Sequence, residues 1–185
     1  MAENRTPEIN TEEDIHEQKR IRIDKLAERR ANGMDPYTIT KFDVTRKASE
    51  AKVEFEAAEA EIKAEAGDDE EKLQAGMDKL KENVISAAGR IMSKRVMGNA
   101  VFIHIQDSTD RIQVYVRVND IGKPAFKEFK KWDIGDIVGV NGYVFRTKTG
   151  EISIHALEIT MLSKSLLPLP EKWHGLKNQD TRYRQ

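Results

Sequence analysis

VFIHIQDSTDRIQVYVR, residues 101–117, is two alternating runs joined by a polar turn. Val101, Ile103 and Ile105 share one side of the first run, and Phe102, His104 and Gln106 the other. In the second run Ile112, Val114 and Val116 oppose Arg111, Gln113, Tyr115 and Arg117. A period of two belongs to a strand with one face in a core and one outside. The stretch is therefore a hairpin that turns at Asp107–Asp110.

The same period continues on both sides of it. Upstream, Ile85, Ala87, Gly89 and Ile91 point one way. Downstream, Lys123–Lys131 reads as a short helix carrying Phe126 and Phe129. Beyond Asp133-Ile134-Gly135-Asp136, a fourth strand alternates Val138, Val140, Gly142 and Val144. Thr147-Lys148-Thr149-Gly150 turns it into a fifth with Ile152, Ile154 and Ala156 inward. Three strands, a helix and two strands describe an α+β, mainly β fold: a five-stranded OB-fold Greek-key barrel over residues 83–162. The glycine that the first and fourth strands share predicts a bulge or sharp bend in each.

N-terminal helices precede the barrel. Residues 1–10 read as a disordered tail, and 11–82 as a helical segment. Thr11 and Asp14 resemble a capping arrangement at the start of a helix that runs to Asn32 and stops at Gly33. This helix is basic, with Lys19, Arg20, Arg22, Lys25, Arg29 and Arg30. It is either a solvated face or a contact to RNA phosphates. Asp35-Pro36 breaks the chain after it. Thr45–Ala66 and a second helix with Leu73, Met77 and Leu80 on one stripe, separated by Gly67-Asp68-Asp69, form an acidic hairpin. Its expected part is packing, since its acids disfavour nucleic-acid contact.

Charge divides the chain in two. Residues 1–82 hold 15 Lys+Arg against 22 Asp+Glu, and residues 83–185 hold 16 against 10. The barrel half is thus the candidate for a polyanion. The chain has no cysteine, which removes disulfides and thiolate metal sites and suits a reducing cytoplasm. His16, His104, His155 and His174 lack ligand spacing, so no metal site is expected. No apolar run reaches the length of a membrane span. Gly122-Lys123-Pro124 lacks the flanking residues of a phosphate-binding loop, and no nucleophile triad has supporting context. The chain reads as a binder.

An OB barrel binds on the face of its second and third strands, between the β1–β2 and β4–β5 loops. That face offers Phe102, His104, Gln113 and Tyr115. The first loop is expected to offer Lys94 and Arg95, and the second Arg146, Lys148 and Glu151. A ring for stacking, cations for phosphates, and amide and carboxylate groups for base edges are what single-strand recognition needs. Taken singly, Phe102 is also compatible with a residue covered by the N-terminal helix, and Gln113 with a solvated strand position. Two other readings of the whole are a general single-strand-binding OB protein and helices that form a protein-interaction arm.

Longer motifs add a family. Ala88-Gly89-Arg90-Ile91-Met92-Ser93-Lys94-Arg95-Val96-Met97-Gly98, Phe102 and Ile112-Gln113-Val114-Tyr115 resemble the barrel of bacterial-type class II lysyl-tRNA synthetases. So do Asp133–Asp136, Phe145–Glu151, Gly33–Tyr37, Leu169-Pro170-Glu171-Lys172-Trp173-His174-Gly175-Leu176 and Arg182–Gln185. The resemblance implies an anticodon-binding domain whose partner is the U-rich anticodon loop of lysine tRNA. Phe102 would stack on an anticodon base, Gln113 and Glu151 would read the central uridine, and Arg95 would touch the loop. Lys94, His104, Tyr115, Arg146 and Lys148 are further candidate contacts. Asn99 stands where the family usually has Lys, a departure at one expected phosphate contact, and Leu167 where it often has Arg. The sequence reaches Gln185 before any class II catalytic motif. Residues 1–185 are accordingly expected to bind without aminoacylating. ATP, magnesium and a homodimer belong to the full-length enzyme, and 163–185 to an exposed, partly disordered linker towards a catalytic domain.

Overall fold

The structure, a computed structural model, describes residues 12–169. The expected tail, the Thr11 cap and the motifs beyond Leu169 lie outside them. Helix α1 spans Glu12–Ala31, and a short 3-10 turn at Pro36–Thr38 follows. Helices α2 (Ala48–Ala66) and α3 (Glu70–Leu80) form the hairpin. Strands β1 (Val84–Met97), β2 (Ala100–Gln106) and β3 (Arg111–Arg117) lead to helices α4 (Val118–Ile121) and α5 (Lys123–Phe129). Strands β4 (Ile137–Arg146) and β5 (Ile152–Ser163) complete a closed barrel in the order β1-β2-β3-β5-β4. The OB-fold architecture is as expected; α4 was not foreseen.

Closure follows from the length of β1. Its first half pairs with β4 from Val84↔Tyr143 to Arg90↔Ile137, and its second half pairs with β2 from Arg90↔Gln106 to Met97↔Ala100. Where the partner changes, the register shifts between Ile91 and Ser93. The bulge in β1 therefore sits at Met92, not at Gly89 as the glycine pattern suggested. Gly89 has a different reason: a Cβ there would lie 2.8 Å from the Gln106 carbonyl oxygen. On β4 the glycine does mark an irregularity, since the register to β5 shifts between Asn141 and Gly142. A Cβ on Gly142 would meet the His155 carbonyl oxygen at 2.0 Å. That closeness makes room for the extra β5 residue, Leu157.

Every inward residue read from the alternation is buried. Ile91, Val101, Ile103, Val114, Val116, Val138, Val140, Ile154 and Ala156 are fully so and fill the lumen. Helices stop both mouths. At one, Phe126, Phe129 and Trp132 enter from α5 and the turn after it, with Phe129 completely buried. At the other, Ala48, Ala51 and Phe55 of α2 join the core, with Met77 and Leu80 of α3 packed against it. Truncating Phe129 or Phe55 to alanine would cost about 3–5 kcal/mol.

The hairpin is fixed by its ends as well as its face. Helix α2 begins at Ala48, not Thr45, because Thr45 and Arg46 donate backbone N–H bonds to the Ser86 carbonyl along β1 (2.9 and 3.2 Å). The Asp107 carboxylate, from the β2–β3 turn, then accepts from the Ala48 N–H at 2.7 Å. Burial opposes ionisation of Asp107, yet the N–H groups of Ala48, Thr109 and Asp110 with the Thr109 hydroxyl hold it below the usual carboxylate range.

Helix α1 is divided: Lys19, Arg20 and Arg30 are exposed, while its other cations turn towards the protein. Arg22 and Arg29 are buried, as is Leu26. Arg22 donates to the carbonyls of Ser165 (3.1 Å) and Leu167 (3.2 Å). Lys25 pairs with Asp133 and Arg29 with Glu128, each at 2.6 Å, and the Arg29 guanidinium lies 5.5 Å from the Trp132 ring centre. Residues 163–169, expected as an exposed linker, are strapped down in the same place. Lys164 is buried and its ammonium joins Asp136 (2.9 Å) and Asp133 (2.6 Å). Desolvation acts to raise the Asp133 carboxyl, but the bonds from Lys164 and Lys25 carry it below the ordinary value.

Candidate nucleic-acid interface

The outer wall of the barrel carries two rows of side chains that cross the strands. Residues directly opposite in a ladder share a face. The pairs Arg95↔Phe102, Phe102↔Tyr115, Tyr115↔His155 and His155↔Tyr143 make one row over β1, β2, β3, β5 and β4. The pairs Ser93↔His104, His104↔Gln113, Gln113↔Ser153 and Ser153↔Phe145 make the next. The period-two pattern that fills the lumen thus aligns, on the opposite face, the residues with chemistry.

The first row is a run of rings. Phe102 and Tyr115 have centroids 4.8 Å apart at 31°, Tyr115 and His155 5.2 Å apart edge to face, and His155 and Tyr143 4.8 Å apart and stacked. Phe145 leans on His155 at 5.7 Å. Phe102, at the end of the run, is half-buried with Arg95 exposed beside it.

The second row is a hydrogen-bonded chain. Ser93 Oγ meets His104 Nδ1 at 2.8 Å, and His104 Nε2 meets Glu151 Oε1 at 2.9 Å. Gln113 Nε2 donates to Glu151 Oε2 at 2.7 Å, and Ser153 Oγ donates to Gln113 Oε1 at 2.9 Å. A carboxylate only accepts, so His104 holds its proton on Nε2 and takes the serine hydroxyl on Nδ1. The same logic orients the Gln113 amide, NH2 towards Glu151 and carbonyl towards Ser153. Glu151 itself stays exposed. The outcome is a carboxylate and an amide held edge to edge beside an aromatic ring.

Of the nine candidate residues, Arg95, Phe102, His104, Gln113, Tyr115 and Glu151 meet on this wall. Lys148 is exposed in the 147–151 loop. Arg95 lies in β1 and not in the loop after it, and two further cations are engaged inside the protein. Lys94 is in β1, which runs on to Met97, and its ammonium donates to the carbonyls of Phe129 (3.0 Å), Lys130 (2.9 Å) and Trp132 (2.8 Å). It closes the end of α5, and burial pulls its pKa down to about 8. Arg146 ends β4 and makes a fork to Glu59 of α2 (2.8–3.1 Å). Neither cation is available to a phosphate while those bonds stand.

Ser153, His155, Tyr143 and Phe145 were missed. Alternation had assigned Ile152, Ile154 and Ala156 inward, and the outward residues between them carried the signal. His155 donates from Nε2 to Asp120 (2.8 Å) and accepts the Tyr143 hydroxyl on Nδ1 (2.9 Å). Burial works to raise the Asp120 carboxyl, but bonds from His155 and Arg117 bring it below the usual range. The unforeseen α4 supplies that aspartate.

Comparison with known proteins agrees with this geometry. Residues 85–162 match the family described as an OB-fold nucleic acid binding domain. The chain is 43% identical over 176 residues to the lysine–tRNA ligase of Clostridium botulinum (strain Loch Maree / Type A3), covering 95% of this chain and 31% of that protein. It is 40% identical over 177 residues to that of Clostridium tetani, with 96% and 31% covered. For the ligase of a Thermoanaerobacter species (strain X514) the identity is 44% over 176 residues, with 95% and 31% covered. The chain spans about a third of the length of these relatives, 31% in each. Residues 85–162 thus form an OB-fold barrel that matches the OB-fold nucleic acid binding domain family, in a chain similar in sequence to lysine–tRNA ligases over nearly all of its length.

Proposed function

We propose that this chain reads the anticodon of lysine tRNA as one domain of a lysine–tRNA ligase. The observation that carries the reading is the Gln113–Glu151 pair, held by His104 and Ser153 at 2.7–2.9 Å beside the Phe102 ring. Uracil's pairing edge presents an acceptor, the N3–H donor and a second acceptor. A fixed carboxylate takes the N3–H, and a fixed amide N–H meets a neighbouring carbonyl. Cytosine has a lone pair at N3, which would face the carboxylate and leave it without its donor. Sites built to hydrogen-bond a group reject the analogue that lacks it because of such unpaired groups. Phe102 has Tyr115 against one side, which leaves its other side for a base to stack on. Arg95 and Lys148 supply phosphate contacts at the margins.

On this reading lysylation with ATP and magnesium, the homodimer and the cytoplasmic setting are properties of the whole ligase. The domain's share is recognition. The test is titration of residues 1–185 with a fluorescent RNA stem-loop carrying UUU in the anticodon place, beside one carrying UCU, at two salt concentrations. Salt separates phosphate attraction from base reading. A marked preference for UUU that survives higher salt supports the proposal. Equal binding that falls together with salt favours a general single-strand binder, whose stacking surface would be the same row of rings.

A further inference from the structure

The acidic hairpin holds one buried carboxylate, and it points at the recognition loop. Glu59 of α2 is 7% exposed, unlike the acids around it. It accepts from Arg146 Nε at 3.0 and 3.1 Å and from one terminal nitrogen at 2.8 Å, with Lys63 at 3.3 Å. The arginine bond lowers the Glu59 carboxyl below its usual range against the opposing effect of burial. The other terminal nitrogen of Arg146 donates to the Gly150 carbonyl at 2.8 Å. Gly150 is bonded directly to Glu151.

A tie that only fastened the hairpin would be complete with the fork to Glu59. The third nitrogen fixes instead the peptide that carries the reading carboxylate. The Glu151 carboxylate is bonded to His104 and Gln113, and the loop backbone closes on itself: Gly150 N–H donates to Thr147 O at 2.9 Å, Thr147 N–H to Glu151 O at 2.9 Å, and Glu151 N–H to Thr147 Oγ1 at 3.0 Å. Those bonds set the loop's shape, whereas Arg146 sets its place relative to a helix. The guanidinium is planar and lies 5.8 Å from the Phe55 ring centre, so it cannot rotate without breaking the fork.

We infer that Glu59 and Arg146 are positioning residues for Glu151, and that the hairpin thereby sets base discrimination without touching RNA. The inference rests on Glu151 reading the central base. Without Glu59 the guanidinium loses its anchor and the Gly150 carbonyl its donor, so Glu151 keeps its bonds to His104 and Gln113 but loses the backbone restraint behind them.

The experiment measures the ratio of UCU to UUU stem-loop dissociation constants for residues 1–185 and the variants E59Q, R146K, E151Q and E59Q/E151Q, with thermal melting of each. E59Q is expected to lower the ratio roughly fivefold, the worth of about one hydrogen bond. Affinity for the UCU loop should stay within about twofold, since stacking and phosphate contacts are untouched. The double variant should fall no lower than E151Q alone. R146K, which keeps the charge but cannot reach Glu59 and Gly150 at once, should behave like E59Q and decides the matter if E59Q does not fold. A wild-type ratio in E59Q and R146K, with only the melting point lowered and E151Q still collapsing the ratio, overturns the inference and leaves anticodon reading intact. A wild-type ratio in E151Q overturns both.

Discussion

Helix α1 and the outer wall of the barrel make opposite use of positive charge. The helix holds six cations between Lys19 and Arg30, and the outward face around Phe102 carries Arg95, Arg111 and Arg117, with Lys148 in the neighbouring loop. Yet Arg22, Lys25 and Arg29 are committed to Ser165, Leu167, Asp133 and Glu128, and Arg30 to Asp35. Arg95 on the wall is exposed. The contrast is sharpest between neighbours, because Lys94 closes a helix end inside the protein while Arg95 faces outward. Density of basic residues in a sequence measures attraction to a polyanion only after internal partners are subtracted.

The largest test removes an internal cation. Arg29→Ala leaves Glu128 with only the longer contact to Lys131 at 3.7 Å and bares Trp132, and should cost about 3 kcal/mol in urea denaturation. The salt dependence of RNA binding by the folded protein should not change. A reduced salt slope would mean that α1 touches phosphates after all.

The next concerns Lys94. Its folded pKa of about 8 lies below the ordinary lysine value, so between those limits the unfolded chain binds more protons than the native one. Stability attributable to Lys94 is depressed below pH 8 and rises as pH increases from there towards about 10.4. Against Lys94→Met, the wild type should gain about 2 kcal/mol across that window. Parallel pH profiles would show that the ammonium is not held in the interior.

On the wall, Phe102→Ala should weaken UUU stem-loop binding by about 1–3 kcal/mol with little change in melting. Large destabilisation with intact binding would make Phe102 a packing residue, on the internal side of the comparison. Arg95→Gln is the smallest: the slope of log affinity against log salt should fall by about 0.7, as for one phosphate contact on a single strand.

What could be read beforehand divides along physical lines. Inward and outward placement is local, so alternation alone located the strands, the lumen residues and the wall that carries Phe102, His104, Gln113 and Tyr115. Glu151 came with them because a five-residue turn fixes where it emerges. Partners distant in sequence were not legible. Arg22 finds its carbonyls 143 and 145 residues away, and Arg146 finds Glu59 87 residues back. The bulge at Met92 was hidden because it answers to β1's change of partner, not to any property of methionine. Had outward residues of the fifth strand been weighed like those of the third, His155 would have been found.

The double stopper of the barrel has a bearing on inhibition. With Phe129 in one mouth and Phe55 in the other, the lumen is a solid, and an antagonist has no hole to enter. On the anticodon-reading proposal it would be flat, aromatic and edge-functionalised, lying across Phe102 with an N–H offered to Glu151. Such a compound would resemble a nucleobase more than a conventional pocket-filler, and its selectivity would come from one carboxylate's angle.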